Sequence, residues 1–416
     1  MFAGQGSLDC VLLEENVSAI LEAGTPANLY EKKRVLVLTP DSTRTCPLPM
    51  MIGILRNLMG KRCERLDFMV ALGTHTPMPQ EGILSLYGIQ TRSSFSASTF
   101  FNHEWNRQET FRRIGRLSAP EVERISEGLL SEEVPIDINK KVFDYDLVLI
   151  LGPVFPHEVV GYSGGAKYLF PGISGGDFLH FFHWLGAVMT CKRIIGIKDT
   201  PVRRIIDRAT EEIPVPLHCL AMVVNRDSKL CGLYVGDVKE AWSQAADLSS
   251  KVHVVTKEKA FRTVLGRAPA MYDEIWTAGK VMYKLEQVVA DQGTLIIYAP
   301  HVKEISRTWG KYIERIGYHT RDYFLSRMDQ FKDIPRGVLA HLTHVRGTGT
   351  WKGGEERPDV NVVLATSIPR EKCQQVNLGH MDPRTVQLSD YMNKEDQGIL
   401  FVDRAGEILH RLEQKQ

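Results

Sequence analysis

Short apolar runs rich in β-branched residues alternate with longer stretches whose apolar residues recur at helical spacing. RVLVLTP (34–40), FMVALGTH (68–75), VFDYDLVLILGPV (142–154) and LAMVVN (220–225) predict strands. The segments between them are long enough for crossover helices, for example PLPMMIGILRNLMGK after the first strand. This alternation predicts an α/β protein with mostly parallel sheets flanked by helices. Ligands on such sheets collect beyond the carboxyl ends of the strands. Three of the four strands run directly into polar motifs there: Asp41 to Arg44, His75 and His157.

After the helical stretch EAWSQAADLSSKVH a second series begins, with AFRTVLG, DEIWTAG, GTLIIYAPHV, GVLAHLTHV and NVVLATSI alternating with helical segments such as VKEISRTWGKYIERIGY. The boundary is expected near 258. This gives a larger N-terminal domain over 1–258 and a smaller C-terminal α/β domain over 259–402. The segment AGEILHRLEQKQ, within 403–416, reads as an amphipathic terminal helix that packs back on the first domain. The chain shows no internal repeat and no low-complexity tract.

Composition narrows the class. A chain of 416 residues exceeds what one core usually fills, and a hydrophobic fraction of 43% supports ordinary globular packing. Acidic and basic residues nearly cancel to a formal charge of +1, without a Lys/Arg-rich block, so nucleic acid is not an expected partner. Seven scattered cysteines without a C-x-x-C pair fit a reducing compartment. The start MFAGQGSLDCVLLEEN lacks the basic and apolar regions of a secretory signal, and the apolar run LVLILGPVF is too short to cross a bilayer. A soluble cytoplasmic protein with no membrane partner is the expectation.

The chemistry concentrates between His157 and His183. His157 ends an apolar strand, and SGGAK (163–167) follows it. A phosphate loop of the Walker type needs Gly-Lys followed by Ser or Thr, whereas Ala166 separates Gly165 from Lys167. The main-chain N–H groups of Ser163, Gly164 and Gly165 remain suited to an anion. By itself the pentapeptide reads by default as a tight turn with a solvated lysine. Asp177, His180 and His183 stand three apart at a helix start; over six residues the direction drifts by about 120°, so two of the three at most face one metal. Spacing leaves open which histidine does. Asp41 and Arg44 fit either a helix cap with a surface arginine or a pair facing a carboxylate or phosphate. His75 and His103 stand beside apolar or aromatic stretches. In the second series, Lys280, Tyr283, Lys284 and Gln287, and further on His344, Arg346 and Trp351, form weaker candidates that fit a plain surface as well as a closing substrate loop.

Together PDSTR (40–44), ALGTH (71–75), NHE (102–104) and PHEVVGYSGGAKYLFPG (156–172), with a histidine sixteen residues after the lysine, resemble the lactate racemase family. The resemblance is specific over about 40–190 and looser beyond 260, in TAGKVMYKLEQVVADQGTLIIYAPH and VDRAGEIL. It implies a nickel-pincer nucleotide, a pyridinium mononucleotide tethered through a thioamide to Lys167, with His183 as the protein ligand of nickel. It further implies His103 and His157 as catalytic histidines, and Asp41 and Arg44 as a cofactor- and substrate-facing pair. Cofactor-biosynthesis proteins are implied as partners of the pathway. The family's lysine and glutamine follow a Tyr-Gln pattern in the second domain, whereas this chain reads YKLEQ, so Lys284 or Gln287 is the equivalent.

The reaction so implied is inversion of carbon 2 of a 2-hydroxy acid by reversible hydride transfer. The adjacent carboxylate is already an anion and acidifies the α-carbon weakly, so moving a hydride is easier than removing a proton. Polar side chains in the second domain point to a polar or sugar acid rather than lactate. Two other classes fit the same residues: a zinc hydrolase using His157, His180 and His183 with Asp41 or Glu104 as base, and a non-catalytic binding protein.

Overall fold

A computed structural model describes residues 1–91 and 95–413. The chain sorts into two compact units. The first holds Met1–Phe155, Tyr162–Leu179 and Lys198–Val252; the second holds Pro156–Gly161, His180–Ile197 and the chain from His253 onward.

In the first unit seven strands form one sheet in the order Ala3–Gly6, Leu230–Gly236, Leu217–Val224, Leu147–Pro153, Arg34–Thr39, Arg65–Val70 and Phe100–Asn102. The last five run parallel, and Leu230–Gly236 is antiparallel to both neighbours. Val35–Leu38 and Leu147–Leu151 are 0% exposed, so both faces of the central strands are covered. A parallel strand in that position has no solvent side, which is why these segments are apolar without alternation. The helix Leu48–Met59 crosses between two neighbouring strands and buries Leu48, Met51, Ile52, Leu55 and Met59 at helical spacing. An antiparallel ribbon of Phe111–Leu117 and Val134–Asn139 was not foreseen from the pattern.

The second unit carries a five-stranded parallel sheet in the order Gly379–Met381, Val360–Thr366, Val289–Ala299, Phe261–Arg267 and Ile399–Val402. Two segments of the expected strand series are helical. DEIWTAG contains the helix Ile275–Ala278, and GVLAHLTHV lies in the helix Arg336–Arg346. There every residue from Val338 to Val345 is buried, so the apolar run belongs to a helix covered all round rather than to a strand.

The terminal helix expected over 403–416 does not form among the described residues. Leu409–Leu412 is a strand, paired in parallel with Val254–Lys257 of the same unit, and 414–416 lie outside the described residues. Arg404 at φ +47 and Gly406 at φ +109 interrupt any helix at its first turn. The boundary expected near 258 stands against a final division after Val252, and 156–161 and 180–197 group with the second unit. Close packing inside that unit holds them. A Cβ on Gly186 would lie 2.7 Å from Val159 Cγ1, and Arg321 Nη1 donates to the Val188 carbonyl at 3.2 Å. No helix among the described residues is long and apolar enough to cross a membrane.

Candidate active site

In the first unit the polar residues gather at the carboxyl ends of the parallel strands. Asp41, two residues beyond Arg34–Thr39, is buried. Its Oδ1 accepts from Thr43 N at 3.0 Å and Thr43 Oγ1 at 2.6 Å, and its Oδ2 pairs with His75 Nδ1. Burial pushes this carboxyl up, yet His75, Arg44 and the Thr43 hydroxyl outweigh it and hold it well below the ordinary range. Asp41 is therefore a fixed anion. It does not cap the next helix, whose N-cap is Pro47. Arg44 Nη1 donates to Thr43 O and Oγ1, and its guanidinium lies 5.6 Å from the centre of the Phe155 ring. His75, five residues past Arg65–Val70, gives Nδ1 to Asp41 while its carbonyl accepts from Trp105 Nε1 at 2.9 Å. That pairing places the Nδ1 proton on the Asp41 side.

The turn bearing Lys167 is built by main-chain packing. Ser163 Oγ donates to the Pro153 carbonyl and accepts from Phe155 N, each at 3.0 Å, which ties the turn to the end of Leu147–Pro153. Gly164 and Gly165 have φ of +78 and +58, and a Cβ on Gly164 would sit 2.6 Å from Val154 Cγ2. Only glycine takes that conformation in that space. Trp242 Nε1 donates to the Ser163 carbonyl at 2.8 Å, and its ring packs on Gly165. Arg203, buried and pulled down to about 10 by burial, donates to the Tyr162 carbonyl at 2.6 Å and lies 4.0 Å over the Trp242 ring. Lys167 emerges half-buried from this clamp. Tyr168 packs against Gly152, near enough to Cys46, Arg44 and Asp41 for their charges to act on its hydroxyl. The lysine turn and the Asp41 cluster are thus neighbours. The Cys46 thiol is pushed up to about 12 by burial and is no thiolate ligand. Trp242→Phe keeps a ring on Gly165 and strands the Ser163 carbonyl. It is expected to cost about 1–3 kcal/mol, read as a lower Tm.

His103, fully buried beyond Phe100–Asn102, has Nδ1 at 3.2 Å from the Asn139 amide and its ring edge-on to Phe111 at 5.6 Å. Its Nε2 has no hydrogen bond of ordinary geometry among the described residues. Burial pulls its pKa down to about 4, opposed in part by the Ser174 main chain, so the ring is neutral near pH 7.

In the second unit His157 is buried, accepts from Val159 N at Nδ1 (3.2 Å), and has Glu158 Oε2 3.5 Å from the same nitrogen. Lys284, also buried, donates to the carbonyl of Pro156, the residue before His157. Burial raises the Glu158 carboxyl, but Lys284, its own main chain, His344 and Lys280 bring it below the ordinary range. Gln287 instead donates to the Lys192 carbonyl at 3.0 Å, so of the two alternatives in YKLEQ it is Lys284 that stands beside His157. His180 Nδ1 accepts from Gly337 N at 3.4 Å. His183 is half-buried and edge-on to Phe182, while Asp177 is exposed at the start of Gly176–Met189. Among the described residues no three His, Cys, Asp or Glu side chains gather to hold a metal, so the three-histidine zinc arrangement lacks its ligand set. Arg346 donates to the Asn377 carbonyl, and Trp351 packs in a β-ribbon against Tyr323 and Arg327.

The first unit therefore contains Asp41, Arg44, His103, Ser163, Gly164, Gly165 and Lys167, and the second contains His157, His183 and Lys284. Asn139, Glu158, Tyr168, Arg203 and Trp242 were not anticipated. Only Glu158 carried a signal, its adjacency to His157.

His344 and His341 are buried like His103, and burial pulls their pKa values down to about 4 and about 3. All three lie below the unfolded histidine value of about 6.5, so the unfolded chain binds more protons between the two. Their contribution to stability is whole above pH ~6.5 and is lost as pH falls toward 4. Thermal melts should show Tm dropping across that window, less steeply in His344→Gln; equal slopes would contradict the assignment.

Comparison with known proteins places these motifs. Residues 14–194 match the family model described as the lactate racemase N-terminal domain. The lactate racemase of Thermoanaerobacterium thermosaccharolyticum is 23% identical over 274 residues, and that of Lactiplantibacillus plantarum 23% over 276. Each match covers 64% of this chain and 60% of the relative, so the chain spans less than two thirds of those curated relatives. A crystal structure of a protein from Thermotoga maritima is 34% identical with a TM-score of 0.89, covering 98% of this chain and 100% of that one. The lactate racemase apoprotein from T. thermosaccharolyticum superposes with a TM-score of 0.74 at 18% identity, over 98% of this chain and 95% of its own, a likeness of fold.

Proposed function

The chain belongs to the lactate racemase family, and we propose from that premise that it is an isomerase inverting carbon 2 of a small, polar 2-hydroxy acid. The observation that carries the reading is the Lys167 turn, where two glycines, Ser163, Trp242 and Arg203 fix the main chain that carries the half-buried lysine near the Asp41 cluster. A solvated surface lysine needs no such clamp.

The family uses a nickel-pincer nucleotide, which when bound supplies a reversible acceptor for the carbon 2 hydride. The donor set fits such a group. Without a cluster of three metal-binding side chains among the described residues, a metal here has to bring most of its ligands in an organic frame. Lys167 would tether that frame, His183 would contribute one imidazole, and the glycine pair would let the main chain of Ser163, Gly164 and Gly165 approach it. Asp41 would face the cofactor as a permanent anion.

The remaining residues act on the substrate. The Arg44 guanidinium forks onto the carboxylate and orients the molecule. His103 and His157 take the hydroxyl proton of one or the other stereoisomer and return it. Lys284 braces the His157 strand and adds positive charge toward the substrate's polar end, in keeping with a hydroxylated or sugar acid.

Inversion of a panel of 2-hydroxy acids in D2O, with protein from a host that makes the cofactor, tests the reading. The expected product is inverted and keeps its carbon 2 hydrogen, because a hydride does not exchange with solvent. Deuterium at carbon 2, or no inversion by loaded protein, would count against it.

A further inference from the structure

We propose that Glu158 is a positioning residue that lets the ring proton of His157 move to Nδ1, so that Nε2 serves as base and, once protonated, as acid. This rests on the proposed function for its purpose, but its geometry stands apart from it. Val159 N donates to His157 Nδ1 at 3.2 Å. A neutral ring accepting at Nδ1 carries its proton on Nε2, which is then a donor. In that form Nε2 has no lone pair with which to accept a proton. To act as a base at Nε2 the ring needs its proton on Nδ1, where the Val159 N–H now points. Glu158 Oε2, 3.5 Å from Nδ1, is the acceptor that makes the exchange affordable.

The surroundings keep Glu158 ready for this. Lys284 and Lys280 from the helix Lys280–Leu285 hold it ionised beside the neutral His344 of Arg336–Arg346, while Tyr283 and Cys191 nearby stay protonated. His103 offers the contrast, since the group at its Nδ1 is the neutral amide of Asn139. An amide does not favour an imidazolium, whereas a carboxylate does. In the base form the substrate O–H bond breaks, its electrons stay on oxygen, and its proton bonds to the Nε2 lone pair. The ring then carries two protons and one positive charge, with Nδ1–H directed at Glu158. The reverse transfer restores the neutral ring. A stereoisomerase, which runs both ways, uses the Nδ1–H ring as base and its imidazolium as acid.

The test is a pH series of long-range 1H–15N spectra of the full-length protein with 15N-labelled histidine, prepared without cofactor so that the outcome is independent of the reaction. His157 is assigned by the signal lost in His157→Asn. In the wild type its neutral ring should populate both tautomers. In Glu158→Gln the Nδ1–H form should vanish and the titration midpoint should fall by at least about one pH unit, since Lys284 and Lys280 are then unopposed. His341, held between Tyr283 and Tyr318, reports an intact fold by keeping its shifts. If Glu158→Gln does not fold, Glu158→Asp withdraws the same charge by one methylene and should lower the midpoint less. Unchanged tautomer ratio and midpoint in the folded variant would overturn the proposal.

Discussion

Lys167→Ala is expected to yield a folded protein with no covalent nucleotide, no nickel and no measurable inversion. The argument is one of connectivity. An amine is the only side-chain group on the 163–168 turn able to form a thioamide, and alanine offers no substitute. The turn itself does not depend on the side chain, because it is held by Ser163 Oγ, Trp242 Nε1 and the positive-φ glycines. Loss of a half-buried lysine head should change stability by less than about 1 kcal/mol. Intact mass, metal content and Tm measured on one sample separate the outcomes. An adduct that survives in the variant would remove Lys167 from its role.

His103→Asn and His157→Asn should each slow inversion by about 10²- to 10⁴-fold while leaving adduct mass and nickel content unchanged. Both rings are buried, and His103 is neutral near pH 7 because burial opposes its charge. Neither is assigned to hold the metal, so cofactor loading is the control that distinguishes proton transfer from assembly. His183→Ala should behave the opposite way and lose nickel. If His157→Asn lost nickel as well, His157 would be a ligand and the division of labour drawn here would fail.

How much of this was written in the chain differs from element to element. The strands Arg34–Thr39, Arg65–Val70 and Leu147–Pro153 were readable because doubly covered parallel strands must be apolar throughout, and their ends delivered Asp41, His75 and His157. The Gly164–Gly165 pair announced a turn that side chains would obstruct. Partnerships across sequence were not readable. Asp41 fitted a helix cap as well as a ligand-facing pair with Arg44, yet its carboxylate meets His75, 34 residues on, because Arg34–Thr39 and Arg65–Val70 lie side by side. Asn139 reaches His103 through a ribbon whose charged residues hid its strands, and Trp242 closes on Ser163 from 79 residues away. The terminal segment failed for a local reason: its amphipathic spacing was real, but Gly406 at positive φ stopped a helix and Leu409–Leu412 joined a strand instead. Periodicity reports burial on one face and carries no information on what lies opposite.

The central claim is tested most directly by peptide mass spectrometry of wild-type protein from a cofactor-producing host. The account predicts a missed tryptic cleavage at Lys167, an added nucleotide mass on that residue, and about one nickel per chain. An unmodified Lys167 in protein that still inverts its substrate would contradict it.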